Sequence, residues 1–417
     1  MKEIKRDYYL NQLIKKQGNG QIKVITGIRR SGKSYLLNKL FKNYLINNKV
    51  DNKHIIYMSF ETKENEKYKN SDLLLLFLKS QITDKKKYYF LLDEIQEVDD
   101  FVPVLNSLIH IENVDVYVTG SNSKLLSKDV LTEFRGRGDE IHVYPLSFSE
   151  YVSAYGKDLD KAYESYSLYG GLPFLFSLDD DKDKMLYLKN LIKETYIKDI
   201  IERNSINNKN DLDELLEVIA STSSSLTNPS KLANTFNSEK KSNISNKTVD
   251  KYLEYFENAF IINKVQRFDI KGKKYIGSPY KYYFEDIGIK NAILNFRQID
   301  DGSIMENIIY NELLRRNYSV DIGVVETNER NKSGQNIKPK YEVDFIVNLG
   351  NKKYYIQSAY QMNNEEKISQ ETKSLRNIYD SFKKIIIVKD NIKTRIDENG
   401  IITMGLYDFL LNENSLD

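Results

Sequence analysis

Residues 21–34 read QIKVITGIRRSGKS, a short apolar strand that runs directly into a glycine-rich loop. The loop has the spacing Gly27-x-x-x-x-Gly32-Lys33-Ser34, which is the signature of a P-loop. Glycine at positions 27 and 32 allows the backbone to wrap closely round a phosphate chain, because a side chain there would collide with it. Successive backbone N–H groups and the N-terminus of the following helix are then expected to face the anion.

The residues of this loop are predicted to bind a nucleotide and its metal ion. Lys33 can reach the β- and γ-phosphates, and Ser34 can place its hydroxyl on Mg²⁺. An apolar strand precedes the loop, and an amphipathic helix from Tyr35 to Tyr44 follows it. We therefore expect ATP and Mg²⁺ as ligands. The predicted nucleotide-binding residues are Gly27, Arg30, Ser31, Gly32, Lys33, Ser34 and Tyr35.

A second motif lies at residues 88–94, which read YYFLLDE. A continuous apolar run of this kind is typical of a strand buried on both faces of a parallel sheet. Asp93 at its carboxyl end can complete the Mg²⁺ site with Ser34, and Glu94 can polarise the attacking water. A core strand followed by a solvated acidic turn is the alternative. The P-loop upstream favours the catalytic interpretation.

Composition excludes several other kinds of site. The chain has 417 residues, of which 40% are hydrophobic and 29% charged, so two to four domains with sizeable cores are expected. It has no cysteine, which excludes disulfides, thiolate zinc sites and cysteine nucleophiles. Its three histidines, His54, His110 and His142, are too far apart in sequence to suggest a metal site.

The net charge and the hydropathy of the chain do not identify a binding partner. The net charge of +2 does not by itself indicate nucleic acid, so any basic surface must be local. The longest apolar run, Leu73 to Leu78, is too short to span a bilayer, and the N-terminus has no apolar signal core. We therefore expect a cytoplasmic protein that does not associate with membranes.

Strands and helices alternate through the first 150 residues, which predicts a doubly wound parallel sheet. The expected strands lie near residues 22–26, 54–60, 87–93, 114–119 and 140–144. Asn122, after the fourth strand, is a candidate γ-phosphate sensor, although a polar turn that caps the next helix is equally compatible. Arg137 can stabilise developing phosphate charge from a neighbouring subunit or domain, or it is an ordinary surface arginine.

Six short motifs occur in one order along the chain. They are GIRRSGKS at 27–34, LLDEIQ at 91–96, TGSNSKLLS at 119–127, GR at 136–137, PLSF at 145–148 and YGGLP at 169–173. Together they resemble the prokaryotic AAA+-related ATPases that carry a C-terminal domain of unknown function. The resemblance covers nearly the whole chain. It implies an α/β ATPase core, a helical lid, a winged helix and a nuclease-like C-terminal domain, and it brings no known cellular role.

The expected architecture is thus a multidomain α/β protein. Its predicted modules are the P-loop core at 1–150, the helical lid at 151–205, the winged helix at 206–290 and the nuclease-like domain at 291–417. In the winged helix, helix 247–258 and strands 260–268 and 273–276 carry exposed lysines. The candidates for contact with double-stranded DNA are Lys247, Lys251, Lys271, Lys273 and Lys274. A solvated basic edge is the alternative.

The C-terminal domain resembles the restriction-endonuclease core, in which an acid and a Glu-x-Lys pair on adjacent strands bind Mg²⁺. Asp344 matches the first acid, while Gln357 and Ala359 occupy the places of the Glu and the Lys. An amide cannot supply a carboxylate charge to a hard cation, and alanine offers no charge at all. Lys353 shares the face of Ala359 but lies six residues from it along the strand. We therefore expect an inactive nuclease fold that serves binding or assembly.

The leading hypothesis is an ATPase that couples MgATP hydrolysis to rearrangement of its C-terminal modules, on DNA or another nucleic acid. The alternative is a nucleotide-gated switch that controls assembly, as a homo-oligomer or with a protein partner, and turns over little ATP. An active ATP-dependent nuclease is disfavoured by Gln357 and Ala359.

Overall fold

The computed structural model describes residues 4–121, 138–156, 158–206, 208–240, 244–297, 300–331, 334–362 and 365–417. The chain divides into two compact units. The first is formed by the residues up to Leu146 together with Leu172–Phe174 and Asn258–Phe260. The second is formed by Ser147–Gly171, Leu175–Glu257 and Ile261–Asp417. Among the residues in these described ranges, no helix is both long enough and apolar enough to cross a membrane.

A five-stranded parallel sheet forms the centre of the first unit. The strands are β1 Ile22–Thr26, β2 Ile55–Ser59, β3 Tyr88–Asp93, β4 Val114–Thr119 and β5 Gly138–His142. Their order across the sheet is β2-β3-β4-β1-β5. The predicted parallel sheet is confirmed, and the predicted bounds of β1 and β4 agree with the structure.

Helices cover both faces of this sheet. They are α1 Asp7–Lys15, α2, which consists of the consecutive segments Lys33–Tyr35, Leu36–Phe41 in π conformation and Lys42–Asn47, α3 Ser71–Ser80 and α4 Phe101–Leu108. Alternate residues of β1 point to opposite faces. Val24 packs in the core that α3 and α4 share, and Ile25 packs in the core beneath α1 and α2. Burial on both faces explains the continuous apolar run of β3 from Tyr88 to Leu92.

The pairing of β4 with its two neighbours places three loops at one edge of the sheet. Val118 of β4 is paired with Val24 of β1 and with Leu92 of β3. The P-loop after β1, the acidic pair Asp93–Glu94 after β3 and Thr119 at the end of β4 therefore meet at the carboxyl edge.

The second unit begins with helices and continues into a mixed sheet. The helices are α5 Phe148–Tyr155, α6 Leu159–Tyr169, α7, formed by Asp181–Leu191, Ile192–Ile197 in π conformation and Lys198–Asn204, α8 Lys209–Ser221, α9 Pro229–Lys240, α10 Asn246–Asn258, α11 Ile287–Ile293, α12 Asp301–Arg315, α13 Glu365–Arg376 and α14 Leu406–Leu411. The strands are β6 Ile262–Asp269, β7 Lys274–Phe284, β8 Ser319–Glu326, β9 Glu329–Arg330, β10 Asn336–Ile337, β11 Lys340–Leu349, β12 Lys352–Ala359, β13 Lys383–Val388, β14 Arg395–Ile396 and β15 Ile401–Gly405.

Eight of these strands form one sheet, in the order β14-β15-β13-β12-β11-β8-β6-β7. Strands β9 and β10 form a separate short hairpin. One face of the large sheet packs on a core that includes Phe148 of α5, Ile309 of α12 and Leu406 of α14. The other face packs on a core that includes Leu375 of α13.

The hairpin β6–β7, which was predicted as the wing of a winged helix, also pairs with a strand later in the chain. Its two strands pair as predicted, but Arg267–Asp269 of β6 also pair in parallel with Ile322–Val324 of β8. The hairpin therefore forms one edge of the eight-stranded sheet. That sheet is continuous across residue 290, where a module boundary was expected from the sequence.

Candidate functional site

The two glycines of the P-loop have conformations that other residues rarely adopt. Gly27 has a φ of +134°, and a Cβ added to it would lie 2.3 Å from the backbone oxygen of Val143. Gly32 has a φ of +99° and immediately precedes α2. Both positions thus require glycine. Arg30 between them is also left-handed, with a φ of +68°.

The cationic group of the loop points inward. The Nζ atom of Lys33 donates to the backbone oxygens of Gly27 at 2.9 Å and Ile28 at 3.0 Å. The Oγ atom of Ser31 is buried and has no hydrogen-bond partner among the described residues. A lysine ammonium and an unpartnered hydroxyl inside a glycine loop at a helix N-terminus are suited to phosphate oxygens.

Asp93 receives hydrogen bonds from three different elements. Ser34 Oγ, at the start of α2, donates to its Oδ1 at 3.0 Å. Thr119 Oγ1, at the end of β4, donates to the same oxygen. Tyr57 OH, from β2, donates to Oδ2 at 3.1 Å. The two predicted Mg²⁺ ligands, Ser34 and Asp93, therefore lie together, in an orientation that two neighbouring strands fix.

Glu94 leaves the sheet in a left-handed conformation, with a φ of +53°. Its backbone N–H donates to Thr119 Oγ1 at 2.9 Å. Its carboxylate accepts hydrogen bonds from the Gln96 amide and, at 3.3 Å, from Ser121 Oγ. Only 7% of Glu94 is exposed. One threonine hydroxyl thus positions both acids, and the Glu94 carboxylate is held at a defined place beside Asp93.

Negative charge accumulates at this edge. Burial raises the pKa of Asp93 above its ordinary value, and the Glu94 carboxylate adds to the effect, while hydrogen bonds from Thr119 and Ser34 oppose it. Burial also raises the pKa of Glu61, with a further contribution from Glu94. Such a cluster favours binding of a cation, which would lower the cost of ionising the carboxylates.

Arg6 supports the loop from behind, a role that was not predicted from the sequence. Its Nη1 donates to the backbone oxygen of Ser31 at 2.9 Å, and its Nη2 donates to that of Tyr144 at 2.6 Å. The side chain also stacks over the Tyr9 ring, with Cζ 4.6 Å from the centroid. An arginine just before a helix gives no signal of this role, because its partners lie 25 and 138 residues away.

The remaining predicted site residues fall into two groups. Arg30 lies within the loop and Tyr35 directly follows it; both are exposed, Tyr35 by 39%. Asn122 and Arg137 lie outside the described residues, so their assignments as sensor and charge-stabilising arginine remain predictions.

The five predicted DNA-contacting lysines are all exposed. Lys247 and Lys251 share the solvent face of α10 with exposed Asp250 and Glu254, so that face has no excess of positive charge. Lys271 at the hairpin tip donates to the backbone oxygen of Glu326 at 2.8 Å. The other two, Lys273 and Lys274, lie at the same tip.

In the second unit, Asp344, Gln357 and Ala359 line one cavity of about 310 Å³. Glu306 of α12 joins them there, and Lys281 of β7 forms an ion pair with it at 2.9 Å. Burial raises the pKa of Asp344 well above its usual value, and the Glu306 charge raises it further. Burial disfavours the charged form of Lys281, but the surrounding carboxylates raise its pKa overall.

Three family models match consecutive parts of the chain. Residues 19–152 match a family described as an AAA domain. Residues 160–300 and 301–407 match two families described as domains of unknown function, DUF8612 and DUF4143.

Two relatives match over most of their length. An uncharacterized protein of Haemophilus influenzae is 35% identical over 415 residues, which cover 98% of each chain. The uncharacterized protein MJ1544 of Methanocaldococcus jannaschii is 31% identical over 363 residues, which cover 83% of this chain and 76% of the relative. Among solved structures, the Walker-type ATPase PABY2304 of Pyrococcus abyssi is 16% identical, with a TM-score of 0.50 over 70% of this chain and 96% of that one. This last similarity shows the fold alone.

Proposed function

We infer that this chain, which belongs to one family with its Haemophilus influenzae and Methanocaldococcus jannaschii relatives, is a P-loop ATPase that binds and hydrolyses ATP at the carboxyl edge of β1, β3 and β4. The observation that carries this proposal is the hydrogen bond of 3.0 Å between Ser34 and Asp93, next to the buried carboxylate of Glu94. It joins the two protein groups that a phosphate-bound Mg²⁺ needs, at the mouth of a glycine loop.

The residues present fit MgATP. Lys33, the partner-free hydroxyl of Ser31 and the backbone N–H groups from Gly27 to Ser34 would hold the phosphates. Ser34 and Asp93 would hold Mg²⁺, which when bound neutralises charge on the phosphate oxygens.

The hydrolytic role falls to Glu94. Its carboxylate can accept a proton from a water molecule that attacks the γ-phosphate, while Thr119 fixes the backbone from which it projects. The hydroxyls of Ser34, Thr119 and Tyr57 all donate to Asp93, so that carboxylate is oriented as an acceptor and is unsuited to be the base. In this proposal Asp93 is therefore a metal ligand and Glu94 is the general base.

Phosphate release under multiple-turnover conditions tests the proposal. Glu94→Gln keeps the size and hydrogen bonding of the side chain but removes its basicity. We expect ATP to bind with unchanged affinity and turnover to fall by about two orders of magnitude. Glu97→Gln is the matched control, because Glu97 is a partly exposed acid in the same turn, and it should hydrolyse ATP at the wild-type rate. Wild-type turnover in Glu94→Gln would contradict the assignment.

A nucleotide-gated switch with little turnover is the second candidate. It is favoured by the contacts of Gln96 and Ser121 with Oε2 of Glu94, which hold the carboxylate in place and engage one of its two oxygens. Gln96→Ala removes one of these donors. A turnover rate that rises in Gln96→Ala supports the switch, and a rate that stays the same or falls supports a site that is already competent.

We further propose that the motion driven by ATP acts on nucleic acid through the hairpin tip of Lys271, Lys273 and Lys274. The support is that all three lysines are exposed and lie at the end of the hairpin where β6 turns into β7. The balanced charge on α10 makes Lys247 and Lys251 weaker candidates. Phosphate release is measured with and without duplex DNA. Faster turnover with DNA in the purified system supports a nucleic-acid partner, and unchanged turnover supports a protein partner.

A further inference from the structure

The cavity of the second unit has an acidic floor. Glu306, Asp344, Gln357 and Glu371 are among the residues that line it. The nuclease resemblance implies a divalent metal ion at this place, bound by Asp344 and a second carboxylate. Whether the side chains fit such an ion depends on what the carboxylates already contact.

The ammonium group of Lys281 lies close to three carboxylates, those of Glu306, Glu342 and Asp344. Its Nζ lies 2.9 Å from Glu306 Oε1, 2.7 Å from Glu342 Oε1 and 4.0 Å from Asp344 Oδ1. The Lys281 side chain is only 4% exposed. The three carboxylates come from helix α12 and strand β11, whereas the lysine comes from β7. One buried cation is thus shared by three acids from two other elements.

Two of these acids accept further hydrogen bonds from the protein. The backbone N–H of Ser358 donates to Asp344 Oδ2 at 2.8 Å, and the Tyr283 hydroxyl donates to Glu306 Oε1. The pairing of β11 with β8 shifts by one residue between Val343 and Ile346, which marks a β-bulge at Asp344. A bulge changes the direction of nearby side chains, and this one lies where the Asp344 side chain points toward Lys281.

Gln357, which occupies the place of the second acid of the nuclease motif, already makes hydrogen bonds within the protein. The Gln357 side-chain oxygen faces the backbone N–H of Asp344 at 3.4 Å, and the Gln357 amide also hydrogen-bonds Glu371. Within the part of the chain that the structure describes, no group of three or more His, Cys, Asp or Glu side chains is arranged to hold a metal ion. The donor set therefore does not fit the divalent ion that the resemblance implies.

We propose that Lys281 is the resident cation of this cleft and occupies the place that a divalent metal ion has in an active nuclease. The ammonium supplies the positive charge that keeps the carboxylates together without a metal. With this ammonium held between Glu306 and Glu342, the cleft has no divalent ion to bind a scissile phosphate or to activate water. The domain thus keeps the acidic architecture of a nuclease site in a form that needs no metal and cleaves no phosphodiester.

The first test measures stability of the full-length protein by calorimetry without nucleotide. Lys281→Ala leaves the buried Asp344 and the partly exposed Glu306 and Glu342 without their cation, so we expect the Tm of the second unit to fall by about 6 °C or more. Neutralising the acids in Lys281→Ala/Glu306→Gln/Asp344→Asn should restore most of this loss. A Tm that stays as low in the triple variant would mean that Lys281 acts through packing, and would overturn the proposal.

The second test asks where Mn²⁺ binds. In the wild type, Mn²⁺ should cause no Tm shift that Asp344→Asn removes. In Lys281→Ala, the vacated position should accept Mn²⁺ and raise the Tm, and the triple variant should lose this response. An Asp344-dependent shift in the wild type, or no shift in Lys281→Ala, contradicts a resident ammonium.

Lys23→Ala is the matched control. Lys23 is a fully buried lysine of β1 that pairs with a single carboxylate, Asp115. Its loss should also lower the Tm, but Mn²⁺ should not restore it, because one carboxylate does not make a divalent site. If Lys281→Ala does not fold, the proposal is supported by a triple variant that folds and a wild type without an Asp344-dependent Mn²⁺ shift. A triple variant that also fails to fold, or such a shift in the wild type, overturns it.

Discussion

The Ser34 hydroxyl donates to Oδ1 of Asp93 over 3.0 Å, although the two residues are 59 positions apart in the chain. Ser34 opens the helix after the P-loop, and Asp93 closes the strand two places away in the sheet. The bond spans the carboxyl end of β4, whose Thr119 donates to the same oxygen. The metal-binding half of the nucleotide site is therefore assembled by sheet order and not by sequence proximity.

Lys33→Ala should weaken ATP binding at least tenfold, because the variant removes the only ammonium that donates to the P-loop backbone among the described residues. Isothermal titration calorimetry with ATP and Mg²⁺ measures the effect. Lys39→Ala, which replaces an exposed lysine on the same helix, serves as the control and should bind ATP as the wild type does. Unchanged affinity in a folded Lys33→Ala protein would remove the basis for the assignment.

Thr119→Val should lower the ATPase rate more than it lowers ATP affinity. Valine keeps the shape but loses both the donor to Asp93 and the acceptor for the Glu94 N–H. A buried N–H left without a partner costs about 1–3 kcal/mol, so we expect roughly a tenfold or larger loss in turnover together with a lower Tm. Thr62→Val, which removes an exposed hydroxyl bonded to the Ser59 carbonyl, should leave both quantities unchanged. Equal rates for the two variants would show that Thr119 does not position the acids.

Gly288→Ala should destabilise the second unit through a backbone clash. A Cβ on Gly288 would lie 1.9 Å from the backbone oxygen of Tyr169, whereas a Cβ on Gly277 would meet nothing within 4 Å. We expect Gly288→Ala to lose about 2 kcal/mol or more of unfolding free energy, and Gly277→Ala to lose far less. Urea unfolding of the two variants measures the difference. Similar midpoints would mean that the C-terminal end of α6, where Tyr169 lies, can move away at no cost in stability.

Asp286 should make stability depend on pH in the acidic range. Burial raises its pKa to about 6, against hydrogen bonds from the Gly171 and Ile289 backbone N–H groups. The folded state therefore binds the proton more tightly than the unfolded state, and the stabilisation is complete below the ordinary value of 3.8 and is lost as the pH rises through about 6.

The measurement compares the wild type with Asp286→Asn between pH 7.5 and pH 4.5, so that other titrating groups cancel. The wild type should gain stability relative to the variant over this range, by about 2 kcal/mol at most. Parallel pH profiles would show that Asp286 has an ordinary pKa in the folded protein.

The hairpin lysines should give duplex binding a strong salt dependence. Each phosphate contact made by Lys271, Lys273 or Lys274 should add about 0.9 to the slope of log affinity against log salt concentration. Replacing the three lysines with glutamate should flatten the slope, while Lys247→Glu/Lys251→Glu on the charge-balanced face of α10 should change it less. Absence of DNA and RNA binding at low salt would direct attention to a protein partner for the hairpin.

Local sequence patterns account for the parts of the fold that were predicted correctly. The strand at 88–93 is apolar up to Asp93 because helices cover both of its faces, and the glycine spacing that follows β1 reflects two backbone conformations that require glycine. These signals lie within ten residues or so of one another, which is why a single sequence reveals them.

The contacts that refine the sites join distant residues and leave no local pattern. Tyr57 and Thr119 reach Asp93 over 36 and 26 residues, and Arg6 reaches Tyr144 over 138. In the second unit, Lys353 is the lysine that the strand pattern places nearest to the missing one, but it lies over the Tyr355 ring. The lysine that meets the acids is Lys281, on a strand expected to end at residue 276 that continues to Phe284.

The sheet shared by β6–β7 and the later strands determines where this chain can be divided. A fragment that starts at residue 301, where one family match begins, would lack both hairpin strands and leave β8 with an open edge on which copies can associate. It would also leave Glu306 and Asp344 without Lys281. Any recombination or gene fusion that moves the C-terminal domain into another protein must therefore carry residues 262–284 with it.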